Sequence, residues 1–244
     1  MRKNENLKCE VEKIIKLLLS LYNLKNIPRS GYIVASLLPP TLVPNVGIHT
    51  LLVAYISFLV SESIAKSGGV KIDMEKVFKL ALLHDIHELI ITDLPNGPTF
   101  NGILQSANVN KTAIEKSAGE KILTLFPDSL KREILSVFDE YHEKKSLETK
   151  IVSIADQIAV LFEILELKRC GADHPWLDVI WKVKIEEIRK NLNKISNDAL
   201  MYIIYQIIDV LQKIKTKEER YLHLLSPYLG KWFFSQVTNN DKEK

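Results

Sequence analysis

Leu82-Leu83-His84-Asp85-Ile86-His87-Glu88 is the stretch on which the reading of this 244-residue chain turns. It continues the stripe of Val77, Leu80 and Ala81 on a helix that opens at Asp73, a good N-cap with Lys76 at the third helical position. On that helix His84 and Glu88 are an i, i+4 pair and Asp85 and Glu88 an i, i+3 pair, so three polar groups project toward one region. They stand where the apolar face should continue. Burying them unpaired would cost several kcal/mol, so they need one another or a cation.

Two other helices repeat the anomaly. His49 is flanked by Ile48, with Leu52, Val53 and Ile56 at i+3, i+4 and i+7. Asp156 has Val152 and Val160 at i±4 and Ala159 at i+3. Three helices thus each bring an orphan polar group inside, and His49, His84, Asp85 and Asp156 make a set of two nitrogens and two oxygens. That set suits one divalent ion (Mn²⁺, Co²⁺, Ni²⁺, Fe²⁺, Zn²⁺ or Mg²⁺) with open positions for water and substrate. The ligands do not choose among these metals.

Working outward, the remaining pattern is helical too. Val11, Ile14, Ile15, Leu18 and Tyr22 follow an amphipathic spacing that ends near Asn26. A loop rich in breakers runs from Pro28 to Gly47, and a second helix from Val46 or Gly47 to Lys66 is closed by Gly68-Gly69. After the break at Thr92 to Pro98, helices are expected at 109–125, 128–142, 147–170, 175–192, 196–215 and 217–227. With Gly and Pro at 9 each and no strand-period segment, the fold class is all-α. The domain reading is a helical bundle over 1–170 with additional C-terminal helices over 171–244 packed on it.

Composition excludes other classes. The net charge of +3 comes from interspersed signs with no long basic run, which argues against nucleic acid as a partner. Cys9 and Cys170 lie outside any CxxC, which fits a reducing, cytoplasmic setting. Leu51 to Val60 is about half of the ~20 apolar residues that a membrane span needs, so no membrane partner is expected.

H…HD…D in this order on helices resembles the HD-domain metal-dependent phosphohydrolases. ALLHDIHELIITDLP is similar to the family's HD-x-x-E…GDLP segment, and EYHEKKSLETKIVSIADQIAVLFEILEL to its second ligand helix. Arg29-Ser30-Gly31-Tyr32 resembles the R-x-G-W that opens many members. Over residues 11–170 the similarity is strongest to the single-metal 5′-deoxynucleotidases. The resemblance implies one metal on His49, His84, Asp85 and Asp156, with catalysis falling to Glu88, Asp85 and Arg29. It implies substrate contacts from Arg29, Asp93, Leu94, Pro95 and Asn96, and a homodimer. The expected reaction is release of phosphate from a small-molecule nucleotide, a (deoxy)nucleoside 5′-monophosphate. Nucleoside triphosphates or cyclic nucleotides are the alternative substrates, and a non-catalytic nucleotide- or metal-binding regulator is the alternative class.

The departures from the family pattern cluster around the nucleotide pocket. Tyr32 stands where Trp is common, Thr92 replaces the Gly of GDLP, and Pro44-Asn45-Val46-Gly47-Ile48 replaces an acidic lead-in to His49. None is a metal ligand. His87 is expected to be peripheral to the metal, His142 to lie on a solvated face, and His174 and His223 to be structural.

Overall fold

The computed structural model describes residues 2–36, 42–68, 70–94 and 110–216. Its helices are α1 (Arg2–Tyr22), a 3-10 turn (Asn23–Asn26), α2 (Ser30–Ser36), α3 (Val46–Gly68), α4 (Met74–Leu83) and α5 (Glu88–Ile91). They continue as α6 (Lys111–Leu123), α7 (Asp128–Glu143), α8 (Leu147–Arg169), α9 (Pro175–Leu192) and α10 (Asp198–Lys215). Among the described residues there is no strand, only an isolated antiparallel bridge between Pro28 and Asn45. The fold is all-α, as expected. The helix expected at 217–227 and His223 lie outside the described residues.

The first compact unit runs to Ala199 and holds α1 to α9. Its centre is α8, which is apolar almost all round, as a fully surrounded helix must be. It packs against α3, α4 and α9. Ser146 caps its start by accepting from the Thr149 N–H at 3.2 Å. Its end is a Schellman turn, with Gly171 N–H to Lys168 O at 3.1 Å and Ala172 N–H to Leu167 O at 3.0 Å. That turn needs the positive φ of 91° that Gly171 supplies. Pro175 then opens α9, with His174 Nδ1 accepting from the Trp176 N–H, so His174 is indeed a structural residue.

A second cluster joins α1, α4, α6 and α7 through Leu17, Leu83, Ile86, Ile122, Leu123, Phe126, Ile134 and Phe138. The other compact unit begins at Leu200. Within it, Leu200, Ile204, Ile208, Leu211 and Ile214 form the buried stripe of α10.

Four local expectations change. The segment after Pro28 is not all loop, because α2 forms within it. Asp93 accepts from both the backbone N–H and the hydroxyl of Ser30, a cap supplied from a distant turn. The stripe Val11, Ile14, Ile15, Leu18 and Tyr22 is exposed, and Leu17, with Leu21 beside it, turns inward. The helix bearing His84 stops at Leu83 and tightens through i→i−3 bonds, such as Glu88 N–H to Asp85 O at 3.0 Å, before α5. Finally, α3 over Val46–Ser67 is by length and composition able to cross a membrane, which the shorter run Leu51 to Val60 had not suggested. Its inner face is buried by His49, Val53, Ile56, Val60 and Ile64.

Candidate metal centre

His49 sits one turn into α3, whose start is fixed by Asn45. The Asn45 side chain accepts from the Ile48 N–H at 3.0 Å, and its backbone bridges Pro28. The imidazole is fully buried between two carboxylates, with Nδ1 2.8 Å from Glu163 Oε1 and Nε2 3.0 Å from Asp156 Oδ1. Burial and Arg29 both oppose a positive His49, but Glu163 and Asp156 prevail and raise it to about 9.

His84 lies in the turn after α4. Its Nδ1 donates to the Ala81 carbonyl at 2.8 Å, and because a carbonyl can only accept, the Nδ1 proton is fixed. Nε2 is then the nitrogen left to face Asp85. It is buried, has no hydrogen-bond partner, and stands 3.1 Å from Asp85 Oδ2. A ring nitrogen and a carboxylate oxygen at that distance suit a positive charge shared between them, a proton or a metal ion.

The donor set meets that demand. Ligand atoms of His49, His84 and Asp156 lie within 4.8 Å of one another, and Asp85 Oδ2 is 3.7 Å from His49 Nε2. Separations of 3.0–3.7 Å match the edges of a coordination shell with ligand bonds of about 2.0–2.2 Å. Burial works against charge on Asp85, yet His84 and Arg29 hold its carboxyl well below the usual range. Burial likewise opposes charge on Asp156, but His49 brings it down to about 2. Both are therefore anionic and ready to ligate. The four residues singled out from sequence converge here from α3, the turn after α4, and α8.

Arg29 occupies the other side. Its Nη1 lies 3.2 Å from Asp85 Oδ2, 3.6 Å from Glu88 Oε1 and 3.5 Å from Asp93 Oδ1. Glu88 is buried at the start of α5, and its Oε2 has no hydrogen-bond partner. Burial, with the charges of Asp85 and Asp93, pushes its carboxyl up to about 10. Asp93 spends its oxygens on Ser30 and Arg29, so it fixes the Arg29 segment. The Leu94 carbonyl accepts from Lys111 Nζ at 3.1 Å. Pro95 and Asn96 lie outside the described residues.

Asp85, His87 and Glu88 form a second group with ligand atoms close enough for an ion. Arg29 Nη1 already stands against both of its carboxyl groups. His87 is buried beside Phe138, at 6.4 Å between ring centroids. His142 is not on a solvated face; it is partly buried with its ring 4.7 Å from that of Phe138.

One residue escaped the sequence reading. Glu163 is a buried carboxylate two turns along α8 from Asp156, and the signal for it was an acid continuing the same otherwise apolar face. Its partners come from α2 and α3, which local spacing cannot reveal.

Comparison with known proteins adds the following. The family described as HD domain matches residues 21–196. The 5′-deoxynucleotidase HDDC2 of Xenopus laevis is 30% identical over 143 residues, covering 59% of this chain and 63% of that protein. A 5′-deoxynucleotidase of Klebsiella pneumoniae is 32% identical over 128 residues, covering 52% and 62%. The chain thus spans less than two thirds of the length of these curated relatives. Among solved structures, a conserved hypothetical protein of Pyrococcus furiosus is 31% identical with a TM-score of 0.62, over 79% of this chain and 98% of that one. An HD-domain phosphohydrolase of Listeria innocua is 18% identical with a TM-score of 0.63, over 86% and 98%, a likeness of fold.

Proposed function

The chain belongs to the HD-domain family, and from that premise we propose that it is a metal-dependent phosphohydrolase releasing phosphate from (deoxy)nucleoside 5′-monophosphates. One observation carries the reading: the buried Nε2 of His84 faces Asp85 Oδ2 at 3.1 Å, with His49 and Asp156 beside them.

His49, His84, Asp85 and Asp156 would hold one divalent ion, from Mn²⁺, Co²⁺, Ni²⁺, Fe²⁺, Zn²⁺ or Mg²⁺. Such an ion activates water near neutral pH and offsets charge on a phosphoryl group. Glu88, with a free buried oxygen beside Asp85, would orient the attacking water, and a cation held on Asp85 would bring the raised Glu88 carboxyl down so that it could take the proton. Arg29 presents a guanidinium fork at the same spot and receives the phosphate oxygens, giving up its contact with Asp85 as it does so. Asp93 holds Arg29 and the start of α2 in register for that task. Leu94, Pro95 and Asn96 would line the nucleoside side, as the resemblance implies.

The protein is read as a homodimer in the cytoplasm. Ile48, Leu51, Tyr55 and Leu59 form an exposed apolar stripe on α3 that a second copy would cover. Two exposed, unbridged thiols, Cys9 and Cys170, suit a reducing compartment. The buried face of α3, which carries His49, argues for a protein core and not a lipid environment.

The test is phosphate release from dAMP, dGMP, dCMP, TMP and dUMP, with AMP, nucleoside triphosphates and cyclic nucleotides as comparison. Metal-stripped protein is resupplied with each ion beside Asp85→Ala and Glu88→Ala. We expect metal-dependent release from the monophosphates that both substitutions abolish. Nucleotide binding without release under any metal would replace the enzyme with a regulator.

A further inference from the structure

Glu163 is fully committed inside the protein. Its Oε1 accepts from His49 Nδ1 and its Oε2 from the Tyr32 hydroxyl, both at 2.8 Å. The neighbouring positions of α8, Val160, Ile164 and Leu167, are buried and apolar. A carboxylate there is costly to desolvate, and an apolar side chain would suit the packing better. What the charge does instead is act on one ring. A proton held on Nδ1 leaves Nε2, 3.0 Å from Asp156 Oδ1, as the nitrogen on which a cation would take the place of a proton.

We propose that Glu163, anchored by the Tyr32 hydroxyl, is the positioning residue that fixes the tautomer and ring plane of His49 for a divalent cation. The inference rests on the metal-site reading above. Tyr32 lies on α2, just after Arg29, so its bond to Glu163 ties the Arg29 segment to the helix that carries Asp156.

The experiment measures Co²⁺ affinity of the full chain by competition with a chelator, together with the visible absorption of the Co²⁺-loaded protein. Metal-free thermal unfolding monitors folding. Removing a group that orients a ligand histidine costs about 10–100-fold in metal affinity, and that loss is expected for Glu163→Ala, with a changed Co²⁺ spectrum. Glu163→Gln keeps an acceptor for Nδ1 but loses the charge, so it falls between wild type and Glu163→Ala. Tyr32→Phe frees one carboxylate oxygen and weakens binding by a smaller factor. Wild-type affinity and spectrum in a folded Glu163→Ala would overturn the inference. If that variant does not fold, unchanged affinity in both Glu163→Gln and Tyr32→Phe would do so. A wild-type chain that takes up no Co²⁺ would instead defeat the metal-site reading on which the inference stands.

Discussion

Thr92 turns the backbone at φ 61° and ψ 176°, a region that glycine enters freely and a β-branched residue does not. It closes α5 by donating its N–H to Glu88 O at 2.8 Å, and it leads directly into Asp93. Strain of this kind costs about 1–3 kcal/mol, while glycine's extra freedom in the unfolded chain returns about 1 kcal/mol of that. Thr92→Gly should therefore raise stability by about 1 kcal/mol, seen as a higher Tm in metal-free protein; a lower Tm would contradict the strain argument. At this scale the sequence was informative wherever a polar residue interrupted an apolar face. His49, His84 and Asp156 were legible for that reason. Glu163 interrupts such a face as well, but its role is set by His49, 114 positions away, and by Tyr32, 131 positions away.

Among the elements, the pairing of α6 with α7 turns on Gly119. A Cβ there would fall 2.2–2.9 Å from the ring of Phe138, which is itself buried to 1%. The ring has little room to move, since His142 packs on it at 4.7 Å. In an open helix Gly→Ala gains about 1 kcal/mol, but overpacking a core costs about 1–3 kcal/mol. Gly119→Ala should therefore destabilise, read as a lower denaturation midpoint at unchanged slope; a raised midpoint would mean that the two helices separate at no cost. Helix positions from α6 to α10 were legible because the residues that start and stop a helix are local: in the structure Asn110 and Ser146 cap α6 and α8, Gly171 ends α8 and Pro175 opens α9. The short α2 was not, because its cap is Asp93 and not a residue of its own segment. Nor could the spacing of α1 reveal that its stripe faces solvent, since periodicity shows that a face is apolar and not what covers it.

For the whole molecule, exposed apolar side chains on α3 argue for assembly. Leu51 is 50% exposed and Tyr55 58%, and burying the exposed half of such a side chain gains on the order of 1 kcal/mol. Light scattering on the eluting protein should give twice the chain mass, and Leu51→Glu with Tyr55→Glu should return it to one; a wild-type monomer would contradict the dimer. Assembly was not readable from composition, because the same apolar pattern serves a core or an interface. Metal content of the purified protein, measured by mass spectrometry after equilibration with Mn²⁺ or Co²⁺ and desalting, is predicted to be one ion per chain. In folded His84→Ala and Asp156→Ala it is predicted to fall close to zero. Full metal content in both variants, or none in the wild type, would contradict the centre at His49, His84, Asp85 and Asp156.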